Sequence, residues 1–368
     1  MEKQPLLEKL KLGDLLLNNR VVMAPMTRSR ADNPDNAPTE LQVDYYSQRA
    51  SAGLIITEGS QISKKAVGYI NTPGIYTAAQ IEGWKKVTSA VHEQGGKIFI
   101  QLWHVGRISH PDFHNGELPL APSAINPNSK AFTPKGFKET VTPKEMSLEE
   151  IKETIQDFRK AAKNAWAAGF DGVEIHSSNG YLLHQFFNRT SNVRTDEYGG
   201  SIANRTKILF EIIDAIKKEI PENRIGLRLN PSLHGLFGMS LDEETIPAFD
   251  HIINKLNDYD LAYLHLSEPF NDVSEIPYAE TNIAERYRPL FKGTLIINAG
   301  FDKEKGNRFI SEGLADAVAY GKPYVSNPDL VERFRQDAPL ADWDQDTFYT
   351  PGSKGYTDYP KLAETAQS

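Results

Sequence analysis

Cysteine is absent from the 368 residues, which excludes disulfides, a thiolate nucleophile and a thiolate-held metal. Also missing is any stretch near the ~18 consecutive apolar residues that a bilayer-spanning helix needs. The opening MEKQPLLEKLKLG has no apolar core of signal-peptide length. A cytoplasmic protein with no membrane partner is expected, so the sequons at Asn188 and Asn204 carry no weight. Basic residues form no run, and 41 Lys and Arg against 49 Asp and Glu leave a net charge of -8, so nucleic acid is not an expected partner. Neither G-x-G-x-x-G nor G-x-x-x-x-G-K-[ST] occurs, which removes the usual signature of a doubly wound nucleotide-binding sheet.

What is present is apolar sequence in short, regularly spaced runs. Eight of them read as strands: VVMAP (21–25), GLIIT (53–57), KIFIQLW (97–103), GVEIH (172–176), RIGLRL (224–229), LAYLHLS (261–267), TLIINAG (294–300) and DAVAYG (316–321). Most are continuous rather than alternating, as in strands covered on both faces. Capping-box spacings fall between them. Thr39-x-x-Gln42 heads LQVDYYSQRASAG, and Thr77-x-x-Gln80 heads a helix with Ile81, Trp84, Val87 and Val91 inward. Ser147-x-x-Glu150 heads one carrying Leu148, Ile151, Ile155, Phe158, Ala162 and Trp166, and Ser240-x-x-Glu243 precedes Ile246, Phe249, Ile253 and Leu256. Eight strands alternating with helices predict a (β/α)8 barrel in one domain over 1–368. Leucines around Gly13-Asp14 predict an N-terminal hairpin closing its bottom, residues 104–146 form a capping excursion after the third strand, and 336–368 a C-terminal tail. The excursion is rich in proline with no helical period, so it is expected to be ordered over the barrel mouth. Its His104, His110 and His114 have no carboxylate spaced to complete a site, and no metal is expected.

Barrels of this kind place chemistry at the carboxyl ends of their strands. The richest such end is DGVEIHSSNGYLLHQ (171–185), which runs from strand through a polar loop to a helical start and crowds His176, Asn179 and Tyr181 together. Two hydrogen-bonding groups and a phenol can hold a carbonyl oxygen and deliver a proton. Pro25, Thr27, Gly59, Gln101, Trp103, Arg228, Ala299, Gly300, Gly321 and Lys322 join them from the other strand ends. The set lacks paired catalytic carboxylates, which argues against glycosidase and metallohydrolase chemistry. Gly300 and Gly321-Lys322 lie on the last two strands, a common phosphate position. Thr27, Gln101 and Arg228 suit a flat, heteroatom-rich ring, although a buried ion pair with Glu58 is the alternative for Arg228. A phosphate site and a ring cradle together imply a mononucleotide such as FMN.

The segments APMTRSR (24–30), QLWHVGR (101–107), EIHSSNGYLLHQFFNRTSNVRTDEYGGSIANR (174–205), SNPDLVERF (326–334) and GYTDYP (355–360) closely resemble the Old Yellow Enzyme family of FMN-dependent ene-reductases, over nearly the whole chain. The resemblance implies a (β/α)8 barrel, non-covalent FMN, reduction by NADPH or NADH, and hydride transfer to the β-carbon of an activated alkene in ping-pong turnover. It implies that Thr27 bonds the flavin O4, Gln101 the pyrimidine edge, and Arg228 stabilises negative charge at N1 and O2. Pro25 and Gly59 would line the ring, while Ala299, Gly300, Gly321 and Lys322 would surround the phosphate. His176 and Asn179 would bind the substrate carbonyl, Tyr181 would protonate the α-carbon, and Tyr69, Trp103 and Tyr349 would shape the substrate pocket. Phe237 is a further candidate to enter it, whereas His184 reads as a satisfied structural histidine. Two other functions use the same flavin: reduction of nitro compounds or nitrate esters without Tyr181, and flavin binding without turnover. The chain is expected as a monomer or homodimer.

Lys322 stands where most members of the family place an arginine, so a bidentate grip on the phosphate becomes a point charge. Lys322→Arg is therefore expected to tighten FMN, read as slower flavin loss on dilution; an unchanged dissociation constant would contradict this.

Overall fold

The first leucines of the chain build a plug. Leu10–Leu12 (β1) and Leu15–Leu17 (β2) pair antiparallel around Gly13, whose φ of +56° suits the tight reversal. The computed structural model describes residues 4–362, so the first three and last six residues of the expected domain lie outside it. After the plug come β3 (Val21–Met23), α1 (Glu40–Ser47), β4 (Leu54–Gln61), α2 (Ala78–Glu93) and β5 (Ile98–Trp103). The excursion holds β6 (Leu120–Ala121), β7 (Lys130–Thr133), β8 (Gly136–Glu139) and β9 (Lys144–Glu145). Then follow α3 (Leu148–Ala167), β10 (Gly172–His176), α4 (Leu182–Phe187), α5 (Ile202–Ile216), β11 (Ile225–Leu229), α6 (Thr245–Leu256) and β12 (Tyr263–Ser267). The chain closes with α7 (Ile283–Tyr287), β13 (Leu295–Asn298), α8 (Lys303–Ser311), β14 (Ala317–Tyr320), α9 (Lys322–Ser326) and α10 (Leu330–Gln336).

All eight expected strands form, and they close in the order β3-β4-β5-β10-β11-β12-β13-β14, every pairing parallel. Inside the barrel, Val22, Leu54, Ile56, Phe99, Tyr263 and Ile296 pack on Leu12, Leu15 and Leu17 of the plug. This apolar floor leaves the opposite end for polar work. Two glycines make room for its rings: a Cβ at Gly172 would lie 2.4 Å from Phe99 Cζ, and one at Gly226 2.2 Å from Tyr263 Cζ. A second core, including Trp84, Phe158, Ile212 and Ile253, fills the space between strands and helices. Among the described residues, no helix is long and apolar enough to cross a membrane.

Three of the four expected capping boxes form, at Thr39, Thr77 and Ser147. The fourth does not. α6 starts at Thr245 with Glu244 before it: the Glu243 carboxylate that the box needs meets Arg189 Nη2 at 2.6 Å, and Asp242 shapes the turn instead, its Oδ1 accepting from the Glu244 amide and its amide donating to Thr245 Oγ1, both at 2.9 Å. Trp166 also departs from expectation. Ala165 takes the inward place on α3, and Trp166 lies 42% exposed with the Arg224 guanidinium over its ring. The excursion is more regular than its prolines imply. β7 and β8 make a hairpin with Pro134 in the turn, and β6 pairs with β9. Its histidines serve local ends: His104 and His110 accept from the amides of Gly106 and Asp112, and His114 Nε2 lies 2.9 Å from Ser109 Oγ. No cluster of three or more potential metal ligands occurs among the described residues.

The tail crosses the barrel mouth, tied down through its own carbonyls. Arg30 donates to the carbonyls of Thr347, Phe348, Gly352 and Lys354, and Arg28 to those of Phe348 and Gly355, at 2.7–3.1 Å. Tyr356 stacks on Tyr45 at 4.0 Å beneath them. Buried guanidinium groups need such acceptors, and the tail supplies them, which fixes Phe348 and Tyr349 over the mouth.

The floor is closely packed, so Gly226→Ala is expected to force the Tyr263 ring aside and cost about 1–3 kcal/mol. Urea unfolding would read this; an unchanged midpoint would mean that the floor has slack.

Candidate active site

β10 ends at His176, and the loop after it reverses through Asn179 (φ 55°) and Gly180 (φ 79°) before Tyr181 precedes α4. This reversal aims three side chains into one corner. His176 is 5% exposed, and burial, then the Arg228 charge, hold its pKa well below the usual range, so the ring is neutral. Its Nδ1 accepts from the Ser178 amide at 3.4 Å, which leaves Nε2 as the protonated, donating nitrogen. Asn179 Oδ1 accepts from Asn230 Nδ2 at 3.1 Å, which leaves the Asn179 amide nitrogen as a donor. The protein thus uses up the acceptors of both residues and offers their donors.

Tyr181 Oη lies 2.8 Å from Tyr69 Oη. Rings of Trp103, His176 and Phe237 surround the phenol at 5.0, 5.1 and 5.5 Å. Burial raises the Tyr181 pKa well above its ordinary value and pushes Tyr69 up to about 12, so both phenols stay protonated at neutral pH. Beneath the loop, His184 Nδ1 accepts from the Gly180 amide at 3.2 Å, and burial brings its pKa down to about 3. It is a neutral brace for the reversal.

A second group of expected residues borders an open cavity of about 650 Å³: Pro25, Thr27, Arg228, Ala299, Gly300, Gly321, Lys322 and Tyr349. That volume suits a small-molecule site. Arg228 joins the two groups, since it is the register partner of His176 across β10 and β11. The alternative pairing of Arg228 with Glu58 is not formed. Glu58 instead accepts from Tyr46 Oη at 3.3 Å and from the Arg28 amide at 3.4 Å. Arg228 Nη2 lies 3.4 Å from Ser267 Oγ and, with the Asn298 amide turned to satisfy its neighbours, 2.9 Å from the Asn298 oxygen. Gly59 and Gln101 do not border the cavity. A Cβ at Gly59 would meet Trp103 Cε3 at 2.6 Å, so that glycine is required by the indole. Gln101 sits 2% exposed inside the barrel, with its Nε2 donating to Glu174 Oε1 at 2.7 Å.

Residues 5–341 match the NADH:flavin oxidoreductase / NADH oxidase family. The chain belongs to this family. It is 44% identical to 12-oxophytodienoate reductase 1 of Oryza sativa subsp. japonica, over 98% of this chain and 94% of that protein. It is 42% identical to 12-oxophytodienoate reductase 2 of Arabidopsis thaliana, over 98% and 97%. Among solved structures, morphinone reductase superimposes with a TM-score of 0.93 at 44% identity, covering 99% of this chain and 98% of that one. The old yellow enzyme homologue from Zymomonas mobilis gives 0.92 at 38% identity, covering 97% and 99%. The protein is therefore an FMN-dependent, NAD(P)H-using oxidoreductase of the Old Yellow Enzyme type, built on a (β/α)8 barrel.

The cavity suits the family's cofactor. Among the described residues, chain neighbours aside, none comes within 4 Å of where a Gly300 Cβ would stand, and at Gly321 only Met26 does, so bare backbone there faces the cavity. Arg228 Nε is buried without a hydrogen-bond partner at the cavity edge, as expected of a donor waiting for a ring heteroatom. Two contributors escaped the sequence. Asn230, just past β11, orients Asn179; its only signal was an asparagine at a strand's carboxyl end. Trp343 lines the cavity with the Lys322 ammonium 5.5 Å over its ring, a contact between distant segments that no local pattern announces.

His104 and His184, both with pKa values brought to about 3 by burial, take up protons on unfolding at any pH between there and 6.5. Their stabilisation is complete above about pH 6.5 and falls as pH drops toward 3. Urea unfolding at pH 5 should show a loss of roughly 2 kcal/mol per histidine relative to pH 7; no loss would contradict their buried, neutral state.

Proposed function

We propose that the protein reduces the C=C bond of α,β-unsaturated carbonyl compounds. The observation that carries this is the pair of donors, His176 Nε2 and the Asn179 amide, freed at the mouth because Ser178 and Asn230 occupy their acceptors, beside a protonated Tyr181. Two donors on one carbonyl oxygen draw electron density from the conjugated β-carbon, and the effect grows as negative charge builds on that oxygen. Thr27 and Arg228 at the cavity wall would hold the flavin ring with Pro25 alongside, Gln101 would meet its edge from the barrel interior behind that wall, and Ala299, Gly300, Gly321 and Lys322 would hold its phosphate. FMN bound there would supply the two-electron chemistry that carries hydride from NAD(P)H to the β-carbon.

Tyr181 gives its proton to the α-carbon. A phenol is acidic enough for an enolate-like carbon and a poor base at neutral pH, so the proton moves one way. Tyr69, at 2.8 Å, is placed to donate to the Tyr181 oxygen as the proton leaves. Trp103 and Phe237 keep water from the phenol, and Tyr349 borders the open side. The neutral, uncharged corner accepts nicotinamide and enone in turn, which gives ping-pong kinetics. Morphinone reductase, a solved relative at 44% identity, carries tetrahydroNAD, which supports nicotinamide binding on this fold.

Tyr181→Phe should slow alkene reduction by about 10²-fold, the usual range for loss of a positioned acid. Reoxidation of the reduced enzyme by a nitroaromatic should stay near the parent rate. Equal rates of enone reduction in parent and variant would remove Tyr181 from the mechanism, and efficient turnover of nitro compounds alone would favour a nitroreductase.

A further inference from the structure

Between the apolar floor and the mouth, the barrel holds a charged band that the substrate corner leaves unexplained. Glu174 and His265 have side chains with 0% exposure, and Glu174 Oε2 lies 2.9 Å from His265 Nδ1. The other carboxylate oxygen accepts from Gln101 Nε2 at 2.7 Å. Register places Glu174 opposite Gln101, and Arg228 opposite His265, so four neighbouring strands contribute to one continuous band. Two atoms in the band, Arg228 Nε and His265 Nε2, are buried without a hydrogen-bond partner.

A carboxylate in such a place is costly unless its partners hold it, and an apolar layer would be the simpler filling. The geometry points to what the charge does. With one Nε2 hydrogen committed to Glu174, Gln101 keeps its Oε1 as an acceptor and its second Nε2 hydrogen as a donor, the two groups that match an imide edge. Glu174 is also a fixed negative charge beside Arg228, and it would oppose the further negative charge that a flavin held by Arg228 gains on reduction. We propose that Glu174, braced by His265, is a positioning residue for the flavin: it sets the orientation of Gln101 and holds down the reduction potential of the bound cofactor. This rests on the cofactor seat proposed above.

The test is the anaerobic two-electron potential of FMN bound to the holoenzyme, with the FMN dissociation constant, for the parent, Glu174→Gln and Thr27→Ala. Removing the charge at constant size should raise the potential by at least the equivalent of a tenfold shift toward reduced flavin, about 30 mV. A purely structural role for Glu174 would weaken FMN without that upward shift, and this would overturn the proposal. If Thr27→Ala moves the potential and Glu174→Gln does not, the band does not tune the flavin. If neither moves it, the seat itself is wrong. Should Glu174→Gln not fold, Glu174→Asp keeps the charge but retreats from Gln101: FMN should bind several-fold more weakly at nearly the parent potential, and unchanged binding would refute the positioning role.

Discussion

A carboxylate buried inside a barrel constrains everything around it. Glu174 has no water to turn to, so its two oxygens must be met by Gln101 and His265, and its charge by Arg228 nearby. Each of these partners comes from a different strand. The register of β5, β10, β11 and β12 is therefore tied to a single group, since a slip of one residue would turn these side chains out of the barrel and leave the charge bare. Below this level only hydrocarbon is needed, and the leucine plug supplies it. Above it, the strand ends are free to carry chemistry because the layer beneath is rigid.

The same logic recurs at the mouth. His176 and Asn179 each spend one polar atom on the protein, and the atom left over is in both cases a donor. Burial keeps His176 neutral and the two phenols protonated, so the corner presents donors and no base. On the function proposed above, such a site would polarise a carbonyl and complete a reduction by giving a proton, since it offers donors and no group placed to abstract one. The arginine-anchored tail then fixes aromatic rings over the open side, so the mouth is shaped by the two ends of the sequence meeting.

How much of this the sequence announced depended on the range of each interaction. Strand runs, the hairpin around Gly13 and three capping boxes rest on neighbours a few residues apart, and they formed as expected. The box at Ser240 failed because Arg189, about fifty residues away, takes the Glu243 carboxylate. Glu174 and His265 lie within the expected strands GVEIH and LAYLHLS, and only closure of the barrel makes them partners. Gly59 was expected just past the second strand, but β4 runs on to Gln61 and carries it, and the contact that requires a glycine there is with Trp103. The family motifs located the residues of the mouth, while Asn230 and Trp343 became visible only once strands and tail were folded together.

The most direct measurement is the visible spectrum of the purified protein under anaerobic conditions, before and after NADPH and then 2-cyclohexenone. A flavin band that bleaches with NADPH and returns with the enone is the predicted result, and it ties cofactor, donor and acceptor class to one site. A protein that stays colourless after FMN is added, or a bleached band that the enone fails to restore, would contradict it.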